Sequence, residues 1–112
     1  MPKREVQLYL TDIKDSIVRI EEYTRDFSFN DFKSDLKTID AVVRNFEIIG
    51  EAAANLPEDF TEKYSEIPWS QIIGMRNKVA HEYFGIDPKI IWKTIQEDLP
   101  ALKKQLERAG LA

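Results

Sequence analysis

The chain lacks cysteine altogether and contains a single histidine, His81, among its 112 residues. The absence of cysteine excludes a disulfide framework, a thiolate metal site and a cysteine nucleophile, and it fits a protein of the reducing cytoplasm. A chain with one histidine cannot supply two histidine ligands to a metal, which leaves carboxylates as the only source of a dedicated metal site. We therefore predict neither a bound metal nor another cofactor.

Long apolar runs are also missing, and no basic segment followed by an apolar one opens the chain. A membrane-spanning helix needs a run of about 18 or more apolar residues, so we expect a soluble, cytoplasmic protein without membrane contact. Acidic residues outnumber basic ones 20 to 16, for a net charge of −4. Bulk charge should not attract polyanions, so any contact with nucleic acid must be local.

Glycine and proline are scarce, and the stretches between them carry apolar residues at helical spacing. Apolar stripes run from Val6 to Phe27, from Ile39 to Leu56 and from Ile91 to Leu106. No segment alternates apolar and polar residues for long enough to form a strand. The sequence predicts a single all-α domain over residues 1–112, folded as an up-and-down bundle of about four to five helices.

Capping and breaking residues predict where these helices begin and end. Residues 28–30 supply serine and asparagine caps for a second helix, which should end before Pro57. A later helix should run from about Trp69 to Tyr83 or Phe84 and stop at Gly85. Pro100 should kink or restart the last helix, because proline removes a backbone donor and clashes with the preceding turn.

The stretch from Gly74 to Gly85 concentrates side chains that could perform chemistry. On a helix, Asn77 and His81 form an i,i+4 pair, so the amide could hydrogen-bond the imidazole and select its tautomer. Arg76 lies about 140° from His81 around the helix and offers a planar, permanently charged fork that suits a phosphate. Tyr83 lies within about 20° of Arg76.

Local charge favours the same use. The segment Trp69–Lys93 contains four basic side chains and two acidic ones, whereas the remainder of the chain is strongly acidic. Lys78 belongs to this basic segment. An arginine, a tunable histidine and an asparagine near lysines could form a phosphodiester site that needs no metal.

Structural roles explain the same residues without any catalysis. His81 could be a favourable charge near a helix C-terminus, and Arg76 could pair with Glu47 or Glu51 inside the bundle. Tyr83 could be a packing aromatic with one polar tip. The two tryptophans, and adjacent acidic pairs such as Glu97 and Asp98, are better explained as packing residues and solvated faces respectively.

Gly50 interrupts an otherwise strong helical sequence. Glycine inside a helix costs about 1 kcal/mol relative to alanine, so a close approach of another helix is the expected compensation. Glu51 beside it is interpreted either as a structural partner for an arginine or as part of the site.

The segment Arg76–His81 matches the Arg-polar-x-x-x-His signature of the HEPN superfamily, and Tyr83 extends it to the His-x-Tyr ending of the HepT-like branch. Further matching segments are Arg44–Ala53, Pro68-Trp69, Gly74–Asn77 and Leu99-Pro100. Together they cover nearly the whole chain in order, and on these motifs the chain resembles a HepT-like HEPN domain.

The resemblance implies the ribonuclease toxin of a toxin–antitoxin pair, acting as a homodimer whose two signatures face one cleft. It makes Arg76 and His81 the catalytic pair, with Asn77 the intervening polar residue. From their places in the sequence, we predict that Glu51 and Lys78 have supporting roles. The resemblance also implies a minimal nucleotidyltransferase partner, the antitoxin, that silences the toxin by adenylylating Tyr83.

Dimerisation has a chemical rationale, because metal-independent RNA cleavage uses the ribose 2′-hydroxyl together with one proton acceptor and one proton donor. One chain offers a single histidine, whereas two chains related by a twofold axis offer two. This hypothesis predicts 2′,3′-cyclic phosphate ends, insensitivity to EDTA and inertness toward DNA. The alternative hypothesis is a non-catalytic helical dimer that binds the nucleotidyltransferase partner or a nucleotide.

Overall fold

The computed structural model describes residues 5–85 and 87–111, and for residues 80–85 it describes the backbone alone. Within these ranges the chain forms seven α-helices and one π-helical turn, and no described residue belongs to a strand. The helices are α1 (Val6–Tyr23), α2 (Phe29–Lys33), α3 (Leu36–Ala54), α4 (Glu58–Lys63), α5 (Trp69–Gly85), α6 (Pro88–Lys93) and α7 (Leu99–Arg108), with the π-helical turn at Thr94–Asp98. The all-α prediction is confirmed.

Helix α3 lies at the centre of the molecule and makes the most extensive helix–helix contacts, with α1 and with α5. The apolar stripes predicted for α1 and α3 are buried in this interface, because a spacing of three and four residues places the side chains on one face. The buried members include Ile13, Ile17 and Ile20 of α1 and Val42, Phe46 and Ile49 of α3.

The break between α1 and α3 contains an extra short helix. Ser28 closes a capping box with Asp31, in which each side chain accepts a hydrogen bond from the other residue's backbone N–H. This box starts α2, and the long helix α3 has a separate cap, Asp35, whose Oδ1 accepts from the Thr38 N–H at 3.0 Å. The serine cap was predicted correctly, but it serves α2.

Helix α5 begins and ends where the sequence predicts. Trp69 follows Pro68, and its buried ring donates an indole N–H to the Tyr64 carbonyl at 3.1 Å, which fixes the start of the helix. The helix then continues without interruption to Gly85. This continuity places Arg76, Asn77 and His81 on one helix.

Pro100 restarts the last helix after a π-helical turn. Because proline has no N–H, the backbone cannot continue regular helical bonding through it, and a wider turn at Thr94–Asp98 absorbs the mismatch. Thr94 is fully buried there, and its hydroxyl donates to the Ile90 carbonyl at 2.9 Å. The predicted kink or restart at Pro100 is confirmed.

The two tryptophans are packing residues, as predicted. Trp69 is buried in the core, and Trp92 packs against it with its ring 5.2 Å from that of Phe32, centroid to centroid. No helix in the described part of the chain is both long and apolar enough to cross a membrane.

Candidate active site

Arg76 lies on the face of α5 that packs against α3, directly against Gly50. A Cβ added at Gly50 would overlap the Cβ of Arg76 and would lie 3.3 Å from its Cγ and 3.2 Å from its Cδ. The aliphatic stem of Arg76 therefore rests on the bare backbone of α3. The close helix approach predicted from Gly50 is confirmed, and the residue that makes the approach is the candidate catalytic arginine.

The guanidinium of Arg76 is held from one side by its neighbour in sequence. Its Nε donates to the Oδ1 of Asn77 in a long hydrogen bond of 3.4 Å. A guanidinium carries five N–H donors, so this bond leaves the four on the two Nη atoms for another acceptor. The Nη edge is the geometry with which arginine binds phosphate in a bidentate manner.

Among the described residues, no carboxylate forms an ion pair with Arg76. Glu47, one of the two partners considered from the sequence, instead accepts from Arg44 at 3.3 Å. Glu51, the other one, is exposed and lines a groove between α1 and α3 together with Tyr9 and Arg19. The supporting role of Glu51 at Arg76 stays a prediction, because the two side chains share no hydrogen bond or ion pair.

Lys78 points to a different neighbour. It is two residues from Arg76, or about 200° around the helix, and its ammonium lies 3.7 Å from the carboxylate of Asp98 in the π-helical turn. The pair borders a cavity of about 350 Å³ between α5 and α7. Lys78 is therefore not bonded to Arg76, and its part in any chemistry also stays a prediction.

The basic character of the segment Trp69–Lys93 is weaker in three dimensions than along the sequence. Besides the pair of Lys78 and Asp98, Lys93 lies 4.0 Å from the carboxylate of Glu97. Glu97 follows Lys93 by four residues along the same helical stretch, whereas Asp98 reaches Lys78 of α5 from the π-helical turn. Both acids are exposed, as predicted for a solvated face, but the contact of Asp98 with Lys78 gave no sequence signal, because no sequence periodicity connects α5 with the turn before α7.

The catalytic histidine and the modified tyrosine proposed from the sequence, His81 and Tyr83, belong to α5 by their backbone. Their side chains lie outside the part of the chain that the structure describes, and so does the predicted hydrogen bond between Asn77 and His81. The contact that Asn77 does make is with Arg76. Among the residues that the structure describes, no group of three or more His, Cys, Asp or Glu side chains is placed to hold a metal ion.

Comparison with known proteins identifies a family. The sequence profile described as "Ribonuclease HepT-like" matches residues 13–109. A protein of Thermococcus cleftensis named as a probable ribonuclease HepT is 49% identical over 106 residues, which cover 95% of this chain and 96% of that protein.

Two further relatives carry names that describe them as RNases. One, from Methanocaldococcus jannaschii, is 42% identical over 107 residues that cover 96% of this chain and 98% of its own. The other, from Caldanaerobacter subterraneus, is 46% identical over 99 residues that cover 88% of both chains. No solved structure matches the chain.

Proposed function

This chain belongs to the family of HepT-like ribonucleases, and on that premise we propose that it is a metal-independent endoribonuclease toxin of the cytoplasm. The observation that carries the proposal is the state of Arg76. Its stem is packed on Gly50, its Nε is bonded to Asn77, and no described carboxylate neutralises its Nη edge. A half-buried arginine with an oriented guanidinium and an Nη edge that pairs with no described carboxylate can bind a phosphate.

The proposed reaction is transesterification within the RNA backbone. The ribose 2′-oxygen attacks the adjacent phosphorus while a base removes its proton, and the bond to the 5′-oxygen breaks as an acid delivers a proton to that oxygen. The products are a 2′,3′-cyclic phosphate and a 5′-hydroxyl. Arg76 binds the non-bridging oxygens and stabilises the charge that builds up on them, and His81 serves as acid or base.

Two copies of the chain would complete this chemistry. The sequence contains one histidine, whereas the reaction moves one proton away from the 2′-hydroxyl and another onto the leaving oxygen. We therefore propose a homodimer in which two α5 helices face one cleft, so that one His81 accepts a proton and the partner's copy of the same residue donates one.

The proposal includes a silencing step by a nucleotidyltransferase antitoxin. The tyrosine hydroxyl of Tyr83 attacks the α-phosphate of ATP, pyrophosphate leaves, and an adenylate remains bonded to the ring. The added phosphodiester is anionic, and it lies on the same helix as Arg76, where it would occupy the arginine fork and repel an incoming RNA backbone.

The decisive experiment offers single-stranded RNA to the purified protein in EDTA and identifies the new ends. We expect cleavage with 2′,3′-cyclic phosphate ends, no cleavage of the matching DNA, and a loss of about a hundredfold or more in His81→Ala. Ser70→Ala, an exposed change on the same helix, is the control and should retain full activity. Cleavage that depends on magnesium, or an active His81→Ala, would contradict the mechanism.

A separate experiment tests the silencing step. Tyr83→Phe should keep the fold but gain no adenylate mass when incubated with the partner and ATP, whereas Tyr64→Phe, a change outside α5, should be adenylylated like the wild type. If the wild type does not cleave RNA but still binds the nucleotidyltransferase, the non-catalytic dimer becomes the better explanation.

A further inference from the structure

We infer that Gly50 of α3 is a positioning residue for Arg76, so that a residue on a neighbouring helix determines where the phosphate-binding guanidinium lies. This inference rests on the proposed function, because it assigns Gly50 a part in RNA binding. Gly50 touches no reacting atom and acts only through the arginine.

The contact between Gly50 and Arg76 cannot be relieved by a side-chain rotation. The Cβ that any other residue would carry at position 50 overlaps the Cβ of Arg76, and both atoms are fixed by their backbones. A substitution at Gly50 must therefore move α5 away from α3 or tilt it. Since α5 carries Arg76, Asn77 and His81, such a movement displaces the whole candidate site.

The contact also restricts the arginine stem beyond its first carbon. The Cγ and Cδ of Arg76 would lie 3.3 and 3.2 Å from the added Cβ, so the stem runs over the space that Gly50 leaves empty. With the stem on Gly50 and Nε on Asn77, two contacts orient the guanidinium before any ligand arrives. Preorganisation of this kind matters because bidentate binding tolerates only small displacements.

Gly74 shows that this tight contact is specific to Gly50. Gly74 lies on α5 itself, two residues before Arg76, and a Cβ added there would meet no heavy atom within 4 Å. Replacing either glycine by alanine gains about the same helix propensity, roughly 1 kcal/mol. Gly74→Ala is therefore a matched control that isolates the helix–helix contact from the propensity effect.

RNA binding tests the positioning role directly. The probe is a single-stranded RNA of mixed sequence with 2′-O-methyl groups, which removes the nucleophile and prevents cleavage. At a temperature where circular dichroism shows all variants folded, Gly50→Ala should raise Kd about fivefold or more, as should Arg76→Ala, while Gly74→Ala stays within about twofold of wild type. A purely structural role would lower the active fraction and leave the Kd of the folded molecules unchanged.

Thermal unfolding of a set of double variants tests the steric contact between position 50 and the Cβ of Arg76. Gly50→Ala should be strongly destabilising in the wild-type and Arg76→Ala backgrounds, because both keep a Cβ at position 76. In the Arg76→Gly background, where that Cβ is gone, the same change should be neutral or stabilising. If Gly50→Ala alone does not fold, restored folding in combination with Arg76→Gly supports the contact, and failure to restore it overturns the inference.

The two proposals fail in different ways. If the wild type neither binds nor cleaves RNA, the proposed function is wrong, and the inference about Gly50 falls with it. If the wild type binds and cleaves RNA but Gly50→Ala has the same Kd as Gly74→Ala, only the positioning role of Gly50 is overturned.

Discussion

The ammonium of Lys78 lies 3.7 Å from the carboxylate of Asp98, and this ion pair joins α5 to the π-helical turn that precedes α7. Both side chains are about half exposed. Such a pair adds little to stability, typically up to about 1 kcal/mol, because water screens it. Its main effect is electrostatic, since it places a negative charge beside the helix that carries Arg76.

Neutralising Asp98 should strengthen RNA binding without altering the fold. We expect Asp98→Asn to lower the Kd for RNA about twofold and to steepen its dependence on salt, because Lys78 then becomes available to a phosphate. The free energy of unfolding should change by less than about 1 kcal/mol. Fluorescence anisotropy at several salt concentrations, together with urea unfolding, measures both.

Glu21 offers a matched control for Asp98. It also forms a partly exposed ion pair, with Lys103 at 3.2 Å, but that pair joins α1 to α7 and lies outside α5. Glu21→Gln removes the same unit of negative charge, so an equal gain in RNA affinity would mean that net charge, and not the release of Lys78, is responsible.

Asn77 should act on RNA through Arg76. Its Oδ1 accepts the hydrogen bond from the Arg76 Nε, so Asn77→Ala should weaken RNA binding by a few fold, roughly the contribution of one weak hydrogen bond. Asn77→Asp should weaken it more, because a carboxylate at the same place pairs with the guanidinium and competes with phosphate. If Asn77→Asp binds RNA as tightly as the wild type, Arg76 does not contact the backbone.

The helices themselves were predictable because their signals are local. Apolar spacing, Pro68, Gly85 and Pro100 each act within a few residues, and α5 accordingly has the bounds that the sequence predicts. The five residues of α2 escaped prediction because so short a helix contains too few turns to show a periodicity.

Contacts between helices were predictable only in part. A glycine inside α3 indicated that something must approach closely, since glycine weakens a helix, but spacing along α3 does not say that Arg76 makes the approach. The contact of Lys78 with Asp98 gave no sequence signal, because charges counted along a segment ignore acids that the π-helical turn brings back to it.

Asp35 should make stability depend on pH at the acidic end. The backbone N–H of Thr38 donates to its carboxylate, and together with a bond from the Thr38 side chain this holds the pKa of Asp35 below its usual value. The stabilisation is present above the pKa of the unfolded chain, about 3.9, and is lost as pH falls through the lower folded-state value.

The matched variant for this test is Asp35→Asn, which keeps a capping oxygen but cannot titrate. We expect the Tm of the wild type, relative to that of Asp35→Asn, to fall as the pH is lowered from neutral to below the aspartate pKa of the unfolded chain. Asp35→Ala should lower Tm at neutral pH by removing the cap of α3. A constant difference between wild type and Asp35→Asn across this range would show that Asp35 does not titrate differently on folding.

Two phenylalanines of α2 contact the same tryptophan of α6 but differ in burial. The pair therefore tests whether burial or the ring contact determines how much α2 contributes to stability. Phe32 is fully buried with its ring 5.2 Å from that of Trp92, whereas Phe29 is only partly buried and 6.4 Å away. Phe32→Ala should reduce the free energy of unfolding by about 3–5 kcal/mol, because a cavity replaces a buried ring. Phe29→Ala should cost clearly less, since the lost area already faces water. Urea unfolding followed by tryptophan fluorescence measures both, and equal losses would mean that the contact with Trp92, rather than burial in the core, sets the contribution of α2.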